Sequence, residues 1–314
     1  MLSTLLKKGE RADYSSRDQE AQLAFYVLLW KRKGISLELF YNYWRDVHGP
    51  VFARLPAQYQ YWQFHLAHNE GGIWPSIGDL VDASSVEENI DGIAELTFKT
   101  VEDRETWFKA TTIFTDDQHN IFRKLIGYST SPGNSITFKD GIENGAPNGH
   151  QGLEKYHCMI RKAEGVSVED FRAYYKDQFA PALAKMDRVL KLRLHLFDEV
   201  DNTSPDAGEG GVSHSEPPEL NYQAAIEIAF WNRLELELFF VSKEYQDLVS
   251  EQSKYARQIR PFPERSAYKF VNDGKMTLAG QRSSTVAQLI MDIGAANQLQ
   301  DDVVALMLTN KFTH

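Results

Sequence analysis

Residues 34 to 55, GISLELFYNYWRDVHGPVFARL, and residues 165 to 186, GVSVEDFRAYYKDQFAPALAKM, are two versions of one segment. At a constant separation of 131 positions, Gly34, Ser36, Glu38, Phe40, Tyr43, Asp46, Pro50 and Ala53 meet identical residues (Gly34 against Gly165, Ala53 against Ala184). A chain that carries one unit twice reads as a fused dimer, and this constrains its architecture more tightly than any motif does. Inside the block, His48 stands against Phe179 and Gly49 against Ala180. Function is to be sought first where the copies differ.

The pattern around the block predicts the same elements in both halves. The run Phe25 to Trp30 reads as a strand that ends at Gly34, and Ser36 then caps a helix. Leu37, Phe40, Tyr41, Trp44 and His48 recur at helical spacing, which puts His48 on the inward stripe. Tyr59 to Leu66 and Gly92 to Phe98 read as strands. A second helix follows with Trp107, Phe108, Ile113 and Phe114 as its buried residues, and Ser135 to Phe138 closes the unit. The order is βαββαβ. It recurs from Tyr156 to Val271, with AELTF matched by IEIAF at a separation of 132. This split-βαβ unit covers one face of its sheet with helices, so the other face needs a partner, which the second copy supplies. The predicted fold class is α+β: two fused ferredoxin-like repeats forming an intrachain dimeric α/β barrel. The expected organisation is a first repeat with its N-terminal arm (1–140), a Gly/Asn-rich linker (141–152), a second repeat (153–272) and a C-terminal helical extension (273–314), whose helix spans Ser284 to Leu308 with Gly294 as a weak point. Long polar insertions fall between strands two and three of each repeat, near 69–89 and 199–221. The extension is expected to dock on the outer surface or to mediate oligomerisation.

Composition narrows the partners. A formal charge of −10 argues against nucleic acid or an anionic membrane surface, both of which demand a basic footprint. No apolar run of about 18 residues is present, and the N-terminus is too polar for a signal peptide, so a cytoplasmic location is the default expectation. Cys158 is the single cysteine and reads as a buried strand residue. The expected partner is a hydrophobic small molecule, with the barrel complete in one chain and further self-association left open.

His48 is the leading catalytic candidate. An imidazole on an inward stripe can serve as a general acid or base. The alternative is a capping role at Gly49-Pro50, where the helix is expected to break. Glu95 and its counterpart Glu227 share a strand face with small residues, which suits a ligand contact or, preferably, a buried ion pair between the two sheets. His65 aligns with His195 if the second strands are matched at a separation of 130, and on that alignment it faces the interior. Tyr43, His65 and Glu95 join His48 as catalytic candidates, and Trp44, Tyr61, Trp62 and Trp107 are the expected substrate-binding aromatics. Metal binding finds little support: there is no HExxH or CxxC, and His65-x-x-His68 on a strand points its rings to opposite faces. No Gly-rich phosphate fingerprint occurs either, because GEGG at 208–211 lies in an acidic loop.

The segment KRKGISLELFYNYWRDVHGPVFARLP resembles the signature of EthD-type proteins of the dimeric α/β-barrel superfamily, and VSVEDFRAYYKDQFAPALAKM looks like a degenerate copy of it. The two repeats together cover about residues 20 to 140 and 153 to 272. The resemblance implies paired ferredoxin-like sheets closing into one barrel. It also implies a choice of chemistries, among them cofactor-free monooxygenases, polyketide cyclases, isomerases, dehydratases and lyases, besides haem-binding branches. His48 stands where the family has its HGP histidine, and Phe179 departs from it. The expected function is a cofactor-independent acid/base enzyme of lyase, dehydratase, isomerase or cyclase type acting on an aromatic or polyketide-like molecule. The alternatives are a cofactor-free monooxygenase and a non-catalytic ligand-binding or accessory protein.

Overall fold

The computed structural model describes residues 20–69, 74, 80, 84–85, 87–142, 146–200 and 211–311. The N-terminal arm before residue 20, much of both long insertions and the GEG of the 208–211 run lie outside the described residues.

The first repeat runs β1 (Leu23–Lys31), α1 (Leu37–Tyr43), a π-helical turn (Trp44–His48), α2 (Gly49–Phe52), β2 (Gln60–Leu66), β3 (Gly92–Phe98), α3 (Val101–Thr111), α4 (Thr115–Ile121) and β4 (Phe122–Ser129). After β5 (Ser135–Asp140) and β6 (Asn148–Gly149), the second repeat follows the same path. It comprises β7 (Glu154–Lys162), α5 (Val168–Ala173), a π-helical turn (Tyr174–Phe179), α6 (Ala180–Lys185), β8 (Lys191–Leu196), β9 (Ala224–Phe230), α7 (Arg233–Phe240), α8 (Lys243–Val249) and β10 (Ala256–Asn272). After β11 (Lys275–Met276), the chain ends in α9 (Leu278–Arg282), α10 (Ser284–Ile293) and α11 (Asp301–Thr309). The expected single helix from Ser284 to Leu308 is therefore two, parted at Gly294, whose φ of +71° ends α10.

The strands run in the order β4-β1-β3-β2-β10-β7-β9-β8-β5, so the ferredoxin-like order occurs twice and β10 belongs to both halves. Its first part pairs with β7 and its second part with β2. The two ends of the path, β4 and β5, are consecutive in the chain. Asp198 N donates to Ser129 O (2.9 Å) and Leu196 N to Asn134 O (2.8 Å) across their junction, so the sheet closes. Each repeat thus lends the end of its fourth strand to the other. This corrects the reading of Ser135 to Phe138 as the closing strand of repeat one: that place belongs to β4, and β5 extends the sheet of repeat two.

Closure creates an interior and two outer layers. Leu96 and Phe98 face the helices in the first half, as Leu192, Leu194 and Leu196 do in the second, while Phe64, Ile93 and Ala225 face inward. The interior also holds charge. Arg193 Nη2 meets Glu95 Oε1 at 3.0 Å, and Lys155 bridges Glu227 (2.5 Å) and Glu264 (2.7 Å), with Lys191 on Glu227 at 2.9 Å. Burial would raise the Glu227 carboxyl, but Lys155 and Lys191 outweigh it and hold the group well below its ordinary value. Of the residues expected to be buried on the second helix, Trp107 and Phe114 are; Ile113, in the 3₁₀ turn at Thr112–Phe114, faces solvent, and Phe108 is exposed on one side while its ring packs on Phe25 and Trp107.

Candidate active site

The helix that carries His48 does not stop at Pro50. A proline inside an α-helix removes one backbone bond and crowds the carbonyl four residues back, and here a π-helical turn accommodates it: Gly49 N–H reaches back to Trp44 O. Gln63 Nε2 donates to the same carbonyl at 3.0 Å. The second repeat makes the same turn, with Ala180 N–H on Tyr175 O. Gly49 is needed for space, since a Cβ there would sit 2.6 Å from the Phe270 ring. His48 is only 5% exposed and stacks on Phe52, with ring centres 4.7 Å apart.

Its partner comes from the first turn of α4. His48 Nδ1 lies 2.7 Å from Asp117 Oδ2. Tyr43 donates its hydroxyl to Asp117 Oδ1 at 2.6 Å, and Asn120 Nδ2 donates to the same oxygen at 3.1 Å. The His48 bond holds the Asp117 carboxyl down to about 2, with Tyr43 and Asn120 adding to it and partial burial opposing. An ionised carboxylate fixes the proton on Nδ1, which leaves Nε2 as the acceptor nitrogen. No described residue hydrogen-bonds Nε2.

His48 faces a cavity of about 490 Å³ between the first sheet and its helices, walled by Trp44, Phe52, Tyr61 and Trp107 among other apolar groups. Tyr61 is fully buried and accepts from Gln63 Nε2 at 2.7 Å, so its own proton remains for an acceptor. Burial raises its hydroxyl far above the ordinary tyrosine value. The equivalent place in the second repeat holds about 20 Å³, lined by Phe179 and by Trp74, which crosses from the insertion of the first repeat to pack on Phe240 and Tyr156.

The predicted residues therefore separate. His48, Trp44, Tyr61 and Trp107 share the cavity, and Tyr43 stands behind it on Asp117. Glu95 does not reach the cavity: it points into the barrel and pairs with Arg193, the ion pair between sheets that was the preferred reading. Trp62 also faces inward, under Lys269 Nζ at 4.6 Å. His65 lies on the helix side, sandwiched between Tyr41 and Trp44 and lining a separate groove beside Arg45 and Arg265. The alignment at 130 was one residue out. At 131, Phe64 meets His195 and His65 meets Leu196, and a slip of one residue exchanges the faces of a strand. Asp117, Phe52 and His214, the last on the cavity rim, escaped sequence reasoning. Asp117 sits in TDDQHN without a motif, and His214 comes from the other repeat.

Residues 32–120, which hold the π-turn, the HGP histidine and Asp117, match the EthD domain. The first repeat is similar to the EthD domain over these residues. The second repeat lies beyond the matched residues yet rebuilds the same path, so the chain forms a dimeric α/β barrel within one polypeptide. Solved structures with similar folds include candidate monooxygenases from Lactobacillus acidophilus (10% identity, 81% of this chain and 97% of that one, TM-score 0.46) and Fusobacterium nucleatum (10%, 81% and 96%, 0.48). An anthrone oxidase-like protein is another (8%, 79% and 93%, 0.46). These likenesses concern the path of the chain. No curated protein matches it.

Haem, which the family resemblance brings in, asks for an axial ligand and for cations to meet its propionates. His48 could supply the first, but among the described residues none lining the cavity is a lysine or arginine, so the described lining does not fit haem. Among the described residues no group of three or more His, Cys, Asp or Glu side chains could hold a metal ion.

Proposed function

We propose that the protein is an enzyme that binds a flat, hydrophobic small molecule in the EthD cavity and transfers a proton, with His48 as the base. The observation that carries this reading is the Asp117–His48 pair, closed at 2.7 Å, at the wall of an apolar cavity of about 490 Å³. Nε2 takes a proton from carbon, the C–H electron pair moves toward an electronegative atom of the substrate, and the Asp117 carboxylate stabilises the imidazolium that forms. Tyr61 O–H donates to the oxygen on which charge collects. The aromatic wall around His48 and Tyr61 lowers the local dielectric at the base of the cavity, while its mouth stays open to solvent. Such chemistry serves lyases, dehydratases, isomerases and cyclases alike.

Benzisoxazoles test it. A base removes the C3 proton, the freed pair completes a nitrile, and the N–O bond breaks to release a phenoxide. Turnover of 5-nitrobenzisoxazole by the intact protein is expected to fall by about 10²-fold or more in His48→Phe, as for loss of a general base. The fold should tolerate this change, because the second repeat holds Phe179 at the same place. Equal turnover by the two proteins would overturn the assignment. Oxygen consumption with an activated phenol, dependent on His48, would instead place the same cavity among cofactor-free oxygenases.

A further inference from the structure

The EthD cavity is not finished by its own repeat. Residues 211–216, from the long insertion of the second repeat, run along the free edge of β4 as a short parallel partner: Leu125 N donates to Ser213 O (2.9 Å) and Ser213 N to Arg123 O (3.0 Å). Val212 is buried in the first repeat's helix-side core. Beyond it, Glu216 is held by Lys124 Nζ at 2.6 Å and by the Tyr128 hydroxyl at 3.1 Å, and Lys124 lies over the Trp30 ring. Between these two anchors stands His214, on the rim of the cavity with Phe25, Phe108 and Leu125.

We propose that His214 is the second proton-transfer group of this cavity, a general acid delivered by the other repeat. The inference rests on the proton-transfer reading of His48. A reaction that takes a proton from carbon and expels an oxygen needs a group that gives up a proton as well as a base. Tyr61, whose hydroxyl burial raises far above its ordinary value, offers that oxygen a hydrogen bond only, and among the described residues His48 and His214 are the two imidazoles that line the cavity. His48 is fixed by Asp117 as an acceptor. His214 is exposed at the mouth, so it can exchange its proton with water between turnovers. His214 as imidazolium gives a proton to the leaving oxygen while His48 gains one from carbon, and the two return to their starting states by exchange with solvent. The strap also explains the duplication functionally: each repeat sends its insertion onto the other, and the segment with Trp74 fills one cavity while the segment with His214 completes the other.

The leaving group distinguishes an acid from a structural strut. With the full-length protein, His214→Gln is expected to lower kcat for unsubstituted benzisoxazole, which releases the more basic phenoxide, by about 10-fold or more, and for 5-nitrobenzisoxazole by about 2-fold at most. KM should stay the same. Glu216→Gln, which loosens the anchor, should show the same dependence on leaving group in weaker form. If His48→Phe abolishes both reactions while His214→Gln slows the two substrates equally or not at all, the role of His214 is overturned and that of His48 stands. If His48→Phe changes neither, both fall.

Discussion

Tyr26 and His157 occupy the same position in the two repeats, 131 residues apart, and their side chains hydrogen-bond to each other at 2.8 Å between the Tyr26 hydroxyl and His157 Nδ1. Equivalent atoms of a fused dimer meet only near its two-fold axis, so this contact marks the pseudo-symmetry axis of the barrel. His157 Nε2 continues to Glu264 at 2.9 Å, and from there the network passes through Lys155 to Glu227. The interior is thus a paired ionic core that ties the repeats together, and the cavity lies outside it.

Tyr26→Phe removes the axial hydrogen bond and leaves a buried imidazole nitrogen without its donor. We expect a loss of about 1–3 kcal/mol in denaturant unfolding, with benzisoxazole turnover unchanged. A fall in turnover without a fall in stability would mean that the interior takes part in the chemistry.

Glu95→Ala strips Arg193 of its carboxylate inside the barrel. An unpaired buried charge costs about 3–5 kcal/mol, so this variant should unfold at much lower urea concentration than Glu95→Gln, which still offers Arg193 an acceptor. Similar midpoints for the two would show that water or another carboxylate takes the place of Glu95.

Asp117→Asn tests the dyad in two ways. Its amide donates to Nδ1 and so favours the wrong imidazole tautomer, and turnover should drop by about 10²-fold or more. The carboxyl is held near 2 in the folded protein against an ordinary 3.8. Its bonds therefore stabilise the fold fully above about pH 4, and that contribution is lost as the pH falls toward 2. Thermal melts of the wild type should show this acid slope, and the Asn variant should lack its share of it.

Phe179→His places a histidine at the site equivalent to His48 without restoring a second centre, because that cavity holds only about 20 Å³. Titration with the nitro substrate should show no gain in active sites, and stability should fall by about 1–3 kcal/mol for a buried polar group without a partner. A doubled active-site count would refute the view that the repeats have divided their labour.

The duplication, the βαββαβ order and the inward placing of His48 were legible in the sequence because they depend on local periodicity and on self-comparison. Glycine, proline and capping residues carry that information at short range. The π-turn could not be read, since Trp44, His48 and Pro50 fit an ordinary helical stripe equally well until the crowding at Pro50 is considered. The face of His65 was misjudged because strand register is a relation between copies, and a single residue of slip reverses it.

The amino-acid sequence by itself determined that two copies of one unit would bury each other's sheets, and that they would differ at His48 and Phe179. Only the tertiary structure decided what that difference means. Barrel closure turned Glu95 and Trp62 into interior residues, the fold of α4 brought Asp117 to His48 across 69 positions of chain, and the crossed insertions set Trp74 in one cavity and His214 at the other. These are contacts between segments distant in sequence, fixed by packing and strand register, and no local pattern encodes them.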